Sequence, residues 1–142
     1  MKKTILLTLA LLTLVSTVSA APEDDIRATS KLWIEGISRG EPDYMVALYA
    51  DDAILHGTVS PVMRKGHALI KEYFEGTVAT PPTMYFIEPQ NIRVFGDTAV
   101  NTGNYATRFG DAEPILLRYS FVYHRDGDKW LIVDHHSSRM PE

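Results

Sequence analysis

The segment Asp134-His135-His136-Ser137-Ser138 places an acid, two imidazoles and two hydroxyls side by side near the C-terminus. Those residue types can build a nucleophilic triad, a metal site or an acid–base pair. The preceding Trp130-Leu131-Ile132-Val133 is strand-forming, and neighbours along a strand point to opposite faces. His135 and His136 then do not readily share one metal. Asp134 and His136 lie on one face and Ser137 on the other, so this strand alone gives no Ser-His-Asp triad. Two pairs remain: His135 with Ser137, and Asp134 with His136.

For His135 with Ser137 the chemistry on offer is proton transfer inside a pocket. His135 would be the catalytic shuttle, because imidazole titrates near neutral pH. The ordinary alternative is a buried histidine satisfied by tyrosine or backbone partners. For Asp134 with His136 the functional reading is an intersubunit hydrogen bond, and the alternative is an idle surface pair. His67, near a helix start, reads as solvated, and His124-Arg125-Asp126 as a charged turn. No H-E-x-x-H spacing occurs, and the G-x-S-x-G match at Gly36-Ile37-Ser38-Arg39-Gly40 falls at the end of a helical pattern rather than on a strand-to-helix elbow, so neither a metal, a cofactor nor a serine nucleophile is expected.

The elements that must position these residues follow from pattern. Pro22-Glu23-Asp24-Asp25 opens a helix, with proline in the first turn and acids at the positive dipole end. Ile26, Leu32, Trp33 and Ile37 recur at roughly helical spacing, and Gly40 stops the run. A second helix carries Tyr44, Met45, Leu48 and Tyr49 and ends at Ala50-Asp51-Asp52. Ala53 to Val59 reads as a strand and Gly66 to Gly76 as a third helix. Four strands follow: Thr83 to Phe95, Thr98 to Phe109, Ile115 to His124 and Lys129 to Ser138, joined by Gly-Asp turns. Helices first and hairpin-linked strands after them predict an α+β fold with the helices on one face of an antiparallel sheet.

Period-two alternation assigns the faces. Ile115, Leu117, Tyr119, Phe121 and Tyr123 share an apolar face that should meet the helices. In the last strand, Leu131 and Val133 go with His135 and Ser137. Trp130 and Ile132 go with Asp134 and His136. Both faces of that strand begin apolar, which suggests a second subunit over the outer one. The expected oligomer interface is therefore Trp130, Asp134 and His136. The expected pocket wall is His56, Asn101, Tyr105, Tyr119, Phe121 and Ser137 around His135.

The N-terminus has a different job. MKKTILLTLALLTLVSTVSA has a basic start, a short apolar run and the small residues Val18-Ser19-Ala20 before Ala21, the pattern of a secretory signal peptide. Residues 1–20 are expected to be removed, leaving a single domain over 21–142 that is periplasmic or secreted and has no membrane attachment. Without Lys2 and Lys3, the 14 basic residues fall to 12 against 18 acids, a net charge of about −6. No positive footprint for nucleic acid is visible. There are no cysteines, so the fold uses no disulfide.

Gly96-Asp97 followed by a strand, and then YHRDGDKWLIVDHHSS, resembles the nuclear transport factor 2-like superfamily. The nearest likeness is to the calcium/calmodulin-dependent protein kinase II association domain and its stand-alone bacterial relatives, including those labelled SgcJ/EcaC-type. ISRGEPDYMVALYADDAILH and RKGHALIKEYFEG fit the same pattern, and the likeness spans about residues 26 to 139. The resemblance implies a strongly bent antiparallel sheet wrapped around three helices as a cone, with a pocket at the wide end and dimers formed through the outer face. It implies no kinase activity and no calmodulin partner: a Gly-rich loop and D-F-G are missing, and the tripeptide His124-Arg125-Asp126 stands at a hairpin turn without the downstream Asn of a kinase catalytic loop. Kinase hubs line this pocket with arginines that hold a carboxylate. The matching positions, near Tyr105, Phe121 and Ser137, are not basic.

Three functions are compatible with these observations. One is an exported protein that self-associates and binds a small, largely apolar ligand in the cone. Another is an enzyme like the SnoaL-like cyclases and ketosteroid isomerases, with His135 as base and Tyr105 or Tyr119 donating to an oxyanion. The third is an oligomeric assembly hub that holds no ligand.

Overall fold

Pro22 and the acids Glu23, Asp24 and Asp25 start the first helix, α1, which runs Pro22–Arg39 in the computed structural model, whose description covers residues 21–141. The expected leader, residues 1–20, lies outside the described residues. Gly40 ends α1 in the left-handed conformation (φ 70°), where a side chain would be strained. Ile26, Ser30, Trp33 and Ile37 form the buried stripe of α1, spaced by turns of the helix.

The second helix, α2, covers only Pro42–Val46. Leu48 and Tyr49, expected on its face, leave it, and Tyr49 opens strand β1, Tyr49–His56. Ala50, Asp51 and Asp52 are strand residues rather than a helix end. The cause is long-range pairing. The Ile132 N–H donates to the Leu48 carbonyl at 2.8 Å, and Tyr49 pairs with Ile132 across the sheet. A short strand, β2 (Met63–Lys65), went unpredicted because its three residues cannot display an alternation. Helix α3 (His67–Thr77) and strands β3 (Thr83–Phe95), β4 (Thr98–Arg108), β5 (Ile115–Asp126) and β6 (Lys129–Arg139) complete the chain.

The six strands lie in the order β2-β1-β6-β5-β4-β3. All neighbours are antiparallel except β1 and β6, which run parallel. The α+β architecture stands as expected, and its sheet is mixed rather than wholly antiparallel. Register breaks in β3, between Ile87 and Asn91, and in β6 bend the sheet around the helices.

The β6 irregularity reverses part of the face assignment. Tyr123 pairs with Ile132 and Val122 pairs with Asp134, so Val133 is left opposite nothing. This one-residue bulge interrupts the alternation. Trp130 and Ile132 therefore face inward with His135 and Ser137. Trp130, expected on the outer interface, is only 6% exposed and belongs to the core. Asp134 and His136 face outward as assigned. His56 is also corrected. It pairs with His136 and is exposed on the outer face, their rings 5.8 Å apart, while Leu55 takes the inward place beside His135.

Among the described residues, no helix is long and apolar enough to cross a membrane.

Candidate functional site

The inner face carries two polar clusters. The first centres on Asn101, which β4 presents fully buried. Its Nδ2 donates to Ser30 Oγ and to Gln90 Oε1, each at 2.9 Å. Its Oδ1 accepts from the Tyr119 hydroxyl at 3.1 Å. Ser30 donates to the Ile26 carbonyl at 2.9 Å, and so accepts from the Tyr123 hydroxyl, also 2.9 Å away. Every side chain here has a partner. Burial raises both tyrosine pKa values, so both stay protonated.

The second cluster centres on His135, which is 1% exposed. Trp33 lies edge-on to its ring at 5.2 Å, and Phe121 lies against it at 4.3 Å. The Trp33 Nε1–H donates to the Tyr49 hydroxyl at 2.9 Å, and that hydroxyl is 2.8 Å from His135 Nδ1. His135 Nε2 is buried with no partner. Burial, and then the neighbouring His136, lower the His135 pKa to about 3, so the ring is neutral at physiological pH.

His135 lines a cavity of about 150 Å³ with mostly apolar walls. Trp33, Tyr73, Phe74, Met84, Phe109 and Leu117 are among its apolar lining, from α1, α3, β3, β5 and the residue after β4. Tyr73 lies directly over Gly57, where an added Cβ would collide with its ring. Thr58, Thr77, Tyr105, Thr107, His135, Ser137 and Arg139 supply polar groups to the lining. Ser137 Oγ is in hydrogen-bond contact with the hydroxyls of Tyr105 and Thr58, and burial raises the Tyr105 pKa to about 12. Thr107 Oγ1 is buried without a partner. The two orphan buried side-chain atoms among the described residues, Thr107 Oγ1 and His135 Nε2, thus belong to residues that line one cavity.

Of the predicted pocket residues, Tyr105 and Ser137 line this cavity with His135. Phe121 supports the His135 ring from behind, Asn101 and Tyr119 belong to the satisfied cluster, and His56 is outside. The expected wall was one surface because all these positions alternate inward. The structure divides it, because Ser30 and Gln90 close off the Asn101 side. Sequence reasoning missed Trp33, Tyr49 and Thr107. Trp33 comes from α1, and Tyr49 from a segment read as helix that the parallel β1–β6 pairing brings beside β6. Thr107 shares its face with Tyr105 by simple alternation, which is the signal that would have found it.

The proton shuttle expected of His135 also meets the wrong geometry. Suppose Tyr49 donates to Nδ1; the only orphan is then Nε2–H. In the reverse tautomer both the Tyr49 proton and the bare Nε2 are stranded. Each stranded buried group costs roughly 1–3 kcal/mol, so the first arrangement is favoured. The free ring nitrogen then carries a proton and donates, and the lone pair is already held by Tyr49. Among the described residues, no carboxylate stands with the buried polar groups to serve as a base instead.

A bent sheet closing its helices around such a cavity is the nuclear transport factor 2-like arrangement. The chain matches the calcium/calmodulin dependent protein kinase II association domain over residues 22–141, and it belongs to that family. It is 31% identical to a structure from Xanthomonas campestris assigned to that domain, with 92% of this chain and 99% of the other covered and a TM-score of 0.77. A nuclear transport factor 2-like protein of unknown function from Pseudomonas putida KT2440 is similar at 23% identity, covering 87% and 90%, TM-score 0.77. A ketosteroid isomerase-like protein from Erwinia carotovora atroseptica is similar at 16% identity, covering 87% and 100%, TM-score 0.67. These last two likenesses are of fold alone. No curated protein matches the chain.

Proposed function

We propose that this protein is exported, self-associates and carries a small, largely apolar molecule in the His135 cavity. The observation that carries the binding reading is the pair of orphan polar atoms in one apolar wall. Native proteins rarely bury polar groups without partners, and an apolar pocket with a few convergent polar groups is the usual form of a ligand site. The signal-like leader supports export. Self-association is supported by apolar side chains left on the outer face: Tyr85, Ala106 and Leu116 form one cross-strand row, with Tyr85 and Leu116 exposed by 44% and 41%.

Native mass spectrometry of the protein purified from periplasm tests both parts. A dimer or larger particle carrying extra small-molecule mass is the expected result. A bare monomer would remove the carrier reading and the assembly reading together. Leu116→Asp should dissociate the particle; an unchanged mass would clear this face of the interface.

A further inference from the structure

We infer that the cavity takes an uncharged ligand about the size of a single six-membered ring, bearing a hydrogen-bond acceptor such as a ketone, aldehyde or ester carbonyl, which receives the His135 Nε2 proton. This rests on the cavity reading above and specifies its ligand class. Size comes first. The cavity measures about 150 Å³, the class of space that stays dry when apolar and admits benzene. Polarity comes next. Trp33 can only donate, so its bond to Tyr49 directs the Tyr49 proton to Nδ1 and leaves Nε2–H as a donor facing no protein acceptor. Thr107 Oγ1, in the same wall, is a second group that a carbonyl oxygen can satisfy as a donor. A hydrocarbon of equal shape would leave both unpartnered.

Charge comes last. His135 is neutral, and Thr58, Tyr105, Thr107 and Ser137 are hydroxyls. A buried carboxylate would need a positive partner there. The charged side chain in the wall, Arg139, is itself exposed to solvent. An anion would have to remain at Arg139, away from the dry interior, and His135 Nε2 would stay unsatisfied.

The test compares three probes on the mature protein: cyclohexanone, its isostere methylenecyclohexane, and cyclohexanecarboxylate. Cyclohexanone should bind about tenfold tighter than methylenecyclohexane, the value of one buried hydrogen bond that would otherwise go unmade. His135→Phe should abolish that difference. Equal binding of the two neutral probes keeps the cavity as a binding site and overturns the acceptor inference. Tightest binding of the carboxylate overturns it in favour of Arg139. Binding of none of the three removes the cavity reading itself. Nitrogen-15 NMR of His135 in the unsubstituted protein gives a check that needs no variant. It should show a protonated Nε2 and a bare Nδ1, and a bare Nε2 would overturn the proposal.

Discussion

Around Asn101 of β4, four other side chains from α1, β3 and β5 form with it a closed set of hydrogen bonds. Around His135, on the same face of the same sheet, the set is left open at Nε2 and at Thr107. Both clusters are buried, and both are built from aromatic and small polar residues. They differ in what closes them. Ser30 of α1 and Gln90 of β3 reach Asn101 from two sides. Over His135 the apolar side chains of α3 and the strand ends leave a space. A closed polar set fixes the packing, and an open one reserves its bonding capacity for something else. Removing polar atoms should therefore have opposite effects at the two places.

Three perturbations sharpen this contrast. Asn101→Ala strips hydrogen bonds from Ser30, Gln90 and Tyr119 at once, and should destabilise the fold by about 3 kcal/mol in urea denaturation. A loss below about 1 kcal/mol would mean that the cluster does not act as a closed set.

Acidification should act through the other cluster. The folded-state pKa of His135 is about 3, below the roughly 6.5 of an unfolded histidine. Between those values the unfolded chain binds the extra proton, so stability is complete above pH 6.5 and falls as pH drops towards 3. Between pH 6.5 and 4.5 the unsubstituted protein should lose at most about 2.5 kcal/mol more than His135→Phe does. Parallel pH profiles for the two proteins would remove His135 from the account. Hydrogen bonds from Gln90 lower the Glu88 carboxyl pKa from its ordinary value.

The smallest effect has the opposite sign. Thr107→Val removes an unpartnered hydroxyl with little change of shape, and should stabilise the empty protein by about 1 kcal/mol. Destabilisation of that size would show that Thr107 has a partner in the folded state.

Most of the fold was legible because its signals are local. Pro22 with three acids marks a helix start, Gly40 a stop, and the Gly-Asp turns delimit long alternating strands. The boundary of α2 was not legible, since Leu48 and Tyr49 fit a helical period and are drawn out of the helix, Tyr49 into β1, by residues of β6 far along the chain. Within the site, the inward placement of His135, Tyr105 and Ser137 follows from alternation. The tautomer of His135 does not, because it depends on Trp33 and Tyr49 arriving from elsewhere. Trp130 was misplaced because a bulge leaves no mark in a run such as Trp-Leu-Ile-Val, where every residue suits either face.

That unmatched Val133 has a consequence for how this chain tolerates change. As an extra residue with an intermediate exposure, it should accept many side chains. Removing it would restore strict alternation without turning any side chain over: Trp130, Ile132, His135 and Ser137 would all keep their inward places, and the strand would lose only its local bend. One further residue inserted beside it would instead set the two blocks of the strand in conflict, with either Trp130 and Ile132 or His135 and Ser137 turned towards solvent. At this position, substitution and deletion should both be mild and insertion severe, because what matters here is the parity of the count.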